Sequence, residues 1–129
     1  MVAQARLLGK AIHRSKLKFL NNEEIRLLRK RFGISQRAFS KFFHASWITI
    51  SRWERSRAVP SQRAQRTLAR LKELSDVALG HLTNKEFKIF LLTPHPDLYG
   101  DSPIDVISTE LGYRAVRDIL QDLLSGEYF

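Results

Sequence analysis

Asp97, Asp101 and Asp105 recur at intervals of four with His95 close by, and carboxylates with an imidazole can hold a divalent cation. The same residues have a plainer reading. Asp97 and Asp101 sit beside turns, where aspartate is expected. Asp105 falls in the first turn of a helix opened by Ser102-Pro103, where an acid is favoured. His13, His44, His81 and His95 stand singly, and there is no HExxH, glycine-rich phosphate loop or nucleophile elbow. Cysteine is absent, which excludes disulfides, thiolate-bound zinc, iron–sulfur clusters and thiol catalysis. The expectation is a protein that is not an enzyme, with no catalytic residue, metal or cofactor.

The remaining chemistry is charge. The 129 residues carry a net +9, divided unevenly. Residues 1–72 hold 18 Lys and Arg against Glu23, Glu24 and Glu54, a net +15; residues 73–129 hold four against ten acids, a net −6. A basic half joined to an acidic half points to two surfaces with different partners. The basic half would attract a polyanion through phosphate neutralisation and counterion release. A solvated basic face without a partner explains the charge equally well.

The elements that must position these groups all read as helices. Asn21 or Asn22 offers an N-cap, Glu23 and Glu24 suit the positive end of a helix, and Ile25, Leu28 and Phe32 share one face. Gly33 ends that helix. Ser35 caps a second, Gln36 to Phe43. Ser46 caps a third, Trp47 to about Arg55, with Ile50 and Trp53 inward and Trp47, Ile48, Ser51 and Arg52 outward. After Val59-Pro60, Ser61 caps a long helix to about Leu79. Asn84 is expected to cap another through Leu92, with Phe87, Phe90 and Leu91 inward. Prolines and a glycine make residues 93–101 a loop. Ser102-Pro103 starts a short helix to about Thr109, and a last one runs from Tyr113 to Leu124, closed by Gly126. No strand pattern is evident, and no apolar run is long enough to cross a bilayer. The fold class is all-α, in three parts: a basic segment 1–20, a helical bundle 21–72 and a small helical domain 73–129.

Residues 1–22 carry Arg6, Lys10, Arg14, Lys16 and Lys18 and no acid. A transit peptide or a membrane-surface helix is disfavoured because the basic excess continues well beyond them. Whether this segment binds a polyanion or packs on the fold stays open.

Two short helices joined by a tight turn in a basic setting have the geometry that enters a DNA major groove. Ile25-Arg26, Arg29, Gly33-Ile34-Ser35-Gln36, Phe39, then Ser46, Thr49-Ile50-Ser51-Arg52-Trp53-Glu54-Arg55 and Pro60 resemble the Xre/Cro helix-turn-helix family, above all its antitoxin subgroup. His44 and Ser56 stand where that family has glycine. The resemblance implies that Trp47 and Ile48, with Arg52 one turn on, read base edges. Gln36 would clamp a phosphate, and Ser46, Thr49, Arg55 and Arg57 would add phosphate contacts. Ser51 belongs to the same outward face, and Arg37 to the exposed side of the second helix. Trp47 reads bases, or packs on the sugar–phosphate wall or a partner subunit. The resemblance also pairs Glu54, the only acid between Glu24 and Glu73, with Arg29 in a structural ion pair.

The run from Ile89 to Gly126, with Thr93-Pro94, Leu98, Gly100, Pro103, Gly112 and Gly126 in order, resembles the toxin-binding domain of Xre/MbcA/ParS antitoxins. Phe90 or Leu91 stands where tryptophan is common. The resemblance implies a RES-domain, NAD⁺-consuming toxin as partner. The contacts expected with it are Pro94, Asp97, Leu98, Tyr99, Gly100 and Asp101 in the loop and Glu127, Tyr128 and Phe129 in the tail. The tail aromatics either anchor the partner or fold back on the last helices. Together the two resemblances imply a cytoplasmic antitoxin that neutralises its toxin and represses its own operon at operator DNA, as a homodimer or larger assembly. The alternative is a stand-alone repressor whose acidic half dimerises or senses a ligand.

Overall fold

The computed structural model describes residues 17–126, and among them all regular structure is helical. Helix α1 spans Asn22–Phe32, α2 Gln36–Ser40 and α3 Trp47–Glu54. Helix α4 spans Gln62–Ala78, α5 Asn84–Leu92, α6 Pro103–Val106 and α7 Glu110–Leu124. Single 3₁₀ turns cover Lys41–Phe43 and Pro96–Leu98. None of these helices is long and apolar enough to cross a membrane.

Local chemistry explains most boundaries. Asn21 accepts from the Glu24 amide while the Glu24 carboxylate accepts from the Asn21 amide, a reciprocal capping box. The second helix is shorter than expected. It tightens to 3₁₀ at Lys41 and stops at His44, which adopts the left-handed conformation (φ 53°). The His44 amide donates to the Lys41 carbonyl and the Ala45 amide to that of Ser40, closing the turn before α3. Helix α3 ends likewise at Ser56 (φ 57°), whose amide donates to Trp53 while that of Arg57 donates to Arg52. Both residues standing at the family's glycine positions thus carry the strained backbone that glycine would relieve.

Three expected boundaries shift in the C-terminal half. Thr83, not Asn84, caps α5, because Thr83 and Glu86 form a second capping box and Asn84 becomes the first helical residue. The short helix α6 ends at Val106. Helix α7 starts at Glu110 rather than Tyr113, capped by Thr109, whose hydroxyl accepts from the Gly112 amide. Gly112 therefore lies inside the first turn of α7, where a Cβ would come 2.0 Å from the Val106 carbonyl oxygen.

The buried residues form one continuous cluster. Phe39, Ile50, Leu68, Leu71, Leu74, Leu91, Ile107 and Leu120 lie at its centre. Phe39, Phe43 and Trp53 meet edge to face, tying α2 and the turn to α3. Phe32 of α1 stacks on Phe87 of α5 with centroids 5.8 Å apart. The residue 72/73 boundary expected between the two halves falls inside α4, which contributes buried side chains on both sides of it.

Arg70 of α4 is buried, and its Nη1 donates to the carbonyls of Ile107 (2.9 Å) and Ser108 (2.8 Å). Those carbonyls lie at and just past the C-cap of α6, so one guanidinium satisfies two acceptors at a helix C-terminus. The same guanidinium stacks on Tyr113, whose hydroxyl donates to Glu73 (2.6 Å). Burial and then the Glu73 carboxylate push the Tyr113 hydroxyl well above its ordinary pKa. Arg31 of α1 bonds Ser75 and Asp76 of α4. Burial alone would raise the Asp76 pKa, but hydrogen bonds from Lys72 and Arg31 outweigh it and hold it below the usual value.

Candidate functional sites

Helices α2 and α3, with the turn at His44, bring one outward face together. Ser46 caps α3, its hydroxyl accepting weakly from the Thr49 amide (3.4 Å). Trp47 and Ile48 follow as the first two helical residues, and both are exposed. Arg52 lies one turn further on, exposed, and Arg55 and Arg57 continue the positive charge past the end of the helix. Thr49 is half-buried. Arg37, on the exposed side of α2, places its guanidinium over the Trp47 ring at 5.8 Å from the centroid.

Ser51 departs from expectation. It faces the interior, buried with Ile50, Trp53 and Glu54. By helical period Ser51 falls between the exposed Trp47 and Arg55, yet packing covers it, so it is not placed for direct contact with a groove.

The ion pair expected between Arg29 and Glu54 is present. Arg29 Nε donates to Glu54 Oε2 at 2.6 Å and Nη2 to Oε1 at 3.0 Å, a bidentate pair joining α1 to α3. Arg29 Nη1 also donates to the Ile34 carbonyl at 2.9 Å. The hydrogen bond to Glu54 raises the Arg29 pKa, opposed by burial. Gln36, expected as a phosphate clamp, donates its Nε2 to Glu54 Oε1 at 3.1 Å. That bond ties the start of α2 to the pair, so an internal carboxylate orients the Gln36 side chain.

In the acidic half, the loop before α6 is wound tightly. The His95 carbonyl accepts from the amides of Leu98 (3.0 Å) and Gly100 (3.1 Å), and the His95 amide donates to Asp101 (3.0 Å). Leu98 is buried, a second departure: it anchors the loop to the core instead of facing a partner. Its anchoring leaves Tyr99 in the left-handed conformation (φ 58°) with its side chain 98% exposed. Pro94, Asp97, Gly100 and Asp101 are also exposed. Glu127, Tyr128 and Phe129 lie outside the described residues. His95 Nδ1 accepts from the Asp97 amide. Among the described residues, no three His, Asp or Glu side chains come together as metal ligands do.

Residues 79–126 match the family model described as the antitoxin Xre/MbcA/ParS C-terminal toxin-binding domain. The C-terminal region is thus similar to the Xre/MbcA/ParS toxin-binding domains. The match begins at the end of α4 and takes in α5, α6, α7 and the Tyr99 loop. Among solved structures, the fold is similar to one chain of the M. tuberculosis MbcT–MbcA toxin–antitoxin complex. That similarity has a TM-score of 0.65 at 18% identity, over 81% of this chain and 94% of that one. No curated protein matches in sequence.

Arg70 and Tyr113, which dock the C-terminal helices on α4, carry no local signal in the sequence. Arg70 reads as one more residue of a basic helix, and its partners are backbone carbonyls nearly forty residues away. The capping residue Thr83 had a local signal, Thr83 followed by Glu86 three residues later.

Proposed function

We propose that this chain is the antitoxin of a toxin–antitoxin pair, holding its toxin through residues 73–129 and operator DNA through residues 21–72. The observation that carries the toxin half is the match of residues 79–126 to a toxin-binding domain, and the likeness to a chain of a toxin–antitoxin complex supports it. The loop tip is the contact surface we assign, with Tyr99 as anchor and Pro94, Asp97, Gly100 and Asp101 around it. An aromatic that is wholly exposed on a tightly hydrogen-bonded loop is preorganised for a hot-spot contact. The tail from Glu127 to Phe129 extends the same assignment. The partner is a RES-domain enzyme that consumes NAD⁺, neutralised by obstruction of its active site.

The DNA half rests on the outward face of α3. Its charge, its braced Trp47 and the exposed Arg52 suit a major groove. The chain is expected to act in the cytoplasm as a homodimer or larger assembly that represses its own operon. Co-expression with the product of the adjacent gene tests the toxin half. A stoichiometric complex that survives purification, together with rescue of growth from that product, is the expected result. A chain that purifies alone and gives no rescue would overturn it.

A further inference from the structure

The outward end of α3 combines two large apolar side chains with little hydrogen-bonding capacity. Trp47 and Ile48 are 40% and 47% exposed. Arg37, Lys41, Arg52, Arg55 and Arg57 are exposed around them on α2, α3 and the turns that follow. The acid nearest in sequence, Glu54, is buried beneath Arg29 and Gln36. The charge complement of this surface is a polyanion. The cation held over the indole by Arg37 braces the ring from a second helix.

Base pairs in the major groove differ in their donors and acceptors and in one apolar group, the C5 methyl of thymine. Ile48 has no donor or acceptor, and Trp47 has only its indole N–H. Pressed on a guanine or cytosine edge, such side chains displace water and leave polar atoms unpaired. Pressed on a thymine methyl they displace water from a group that had no hydrogen bond to lose. We propose, on the DNA-binding reading above, that Trp47 and Ile48 form a methyl-reading patch. The duplex they select carries thymine at the base pairs beneath the N-terminal end of α3, and Arg52 supplies the hydrogen-bonded contact one turn on.

The full chain is used to enrich duplexes from a randomised library, and each enriched thymine is then replaced by deoxyuridine, which lacks only the methyl. Affinity is expected to fall about fourfold per contacted methyl removed, the transfer value of one buried carbon. In Trp47→Ala and Ile48→Ala the thymine–uracil difference should vanish at the base pair each side chain covers. Both residues are exposed, so the helical circular dichroism should be unchanged. A library without thymine enrichment, or wild-type affinity for the deoxyuridine duplexes, overturns the patch and leaves DNA binding standing. Variants that lose affinity equally for both duplexes overturn it too, since the side chains then touch the backbone. No salt-dependent binding to any duplex overturns the DNA reading and the patch together.

Discussion

Replacing Glu54 by alanine is the sharpest test of how the basic half is held together. The Glu54 side chain is 4% exposed and accepts three hydrogen bonds, two from Arg29 and one from Gln36. Truncation leaves the Arg29 guanidinium, 15% exposed, without a counter-charge, although its bond to the Ile34 carbonyl survives. Orphaning one member of a buried ion pair costs about 3–5 kcal/mol. The residual exposure of Arg29 admits some water and points to the lower end, about 3 kcal/mol. Against a total of roughly 5–15 kcal/mol for a domain, that is a large share of the stability. Urea unfolding followed by circular dichroism should show the midpoint falling with an unchanged slope. The double variant Arg29→Met with Glu54→Leu removes both charges and should recover most of the loss, as apolar replacements of buried pairs do. A Glu54→Ala loss under about 1 kcal/mol, or single-variant losses that add within about 0.5 kcal/mol in the double variant, would refute the coupling.

Gly112→Ala should destabilise by more than the roughly 1 kcal/mol that alanine gains in helix propensity, because its Cβ meets a backbone carbonyl at 2.0 Å; thermal unfolding reads the sign. Tyr113 has a folded-state pKa above its unfolded value, so its contribution is present in full below about pH 10 and is lost as pH rises through the folded value. Denaturation from pH 8 to 11.5 should therefore show stability falling at the alkaline end, less steeply in Tyr113→Phe, which at pH 7 should cost about 0.5–1.5 kcal/mol for the lost hydrogen bond. Arg52→Ala should weaken a selected duplex by about 1–3 kcal/mol and relax base choice at one position, whereas Arg57→Ala should weaken all duplexes evenly and flatten the salt slope; titrations at several salt concentrations separate the two.

Local rules made much of the molecule legible. The caps at Asn21, Ser35, Ser46 and Ser61 each satisfy an amide three residues on, so a serine or asparagine before a periodic apolar run marks a helix start without knowledge of the fold. An isolated acid in a basic stretch shows that Glu54 needs a cationic partner, and the resemblance to the Xre/Cro motif names Arg29 as that partner. The burial of Ser51 and Leu98 is set by packing: Ser51 shares a helical face with exposed residues, and Leu98 lies in a loop where no helical period applies. The 3₁₀ tightening at Lys41 followed from the demand that the chain turn at His44, a geometric constraint and not a propensity.

The sequence by itself determined that the chain is helical, that its charge divides into a basic and an acidic half, and that two short helices joined by a tight turn lie in the first. It also showed where the Xre/MbcA/ParS-type pattern lies. These are properties of spacing and composition, which act over a few residues or over sums of charge. Tertiary structure alone decided that Arg37 braces Trp47 and that Gln36 is held by Glu54. It also decided that Arg70 fastens α4 to the end of α6, and that Tyr99 projects because Leu98 is buried beneath it. Each joins atoms that no helical period relates, or turns on which side of a loop the core lies, and only the packing of the whole chain sets those.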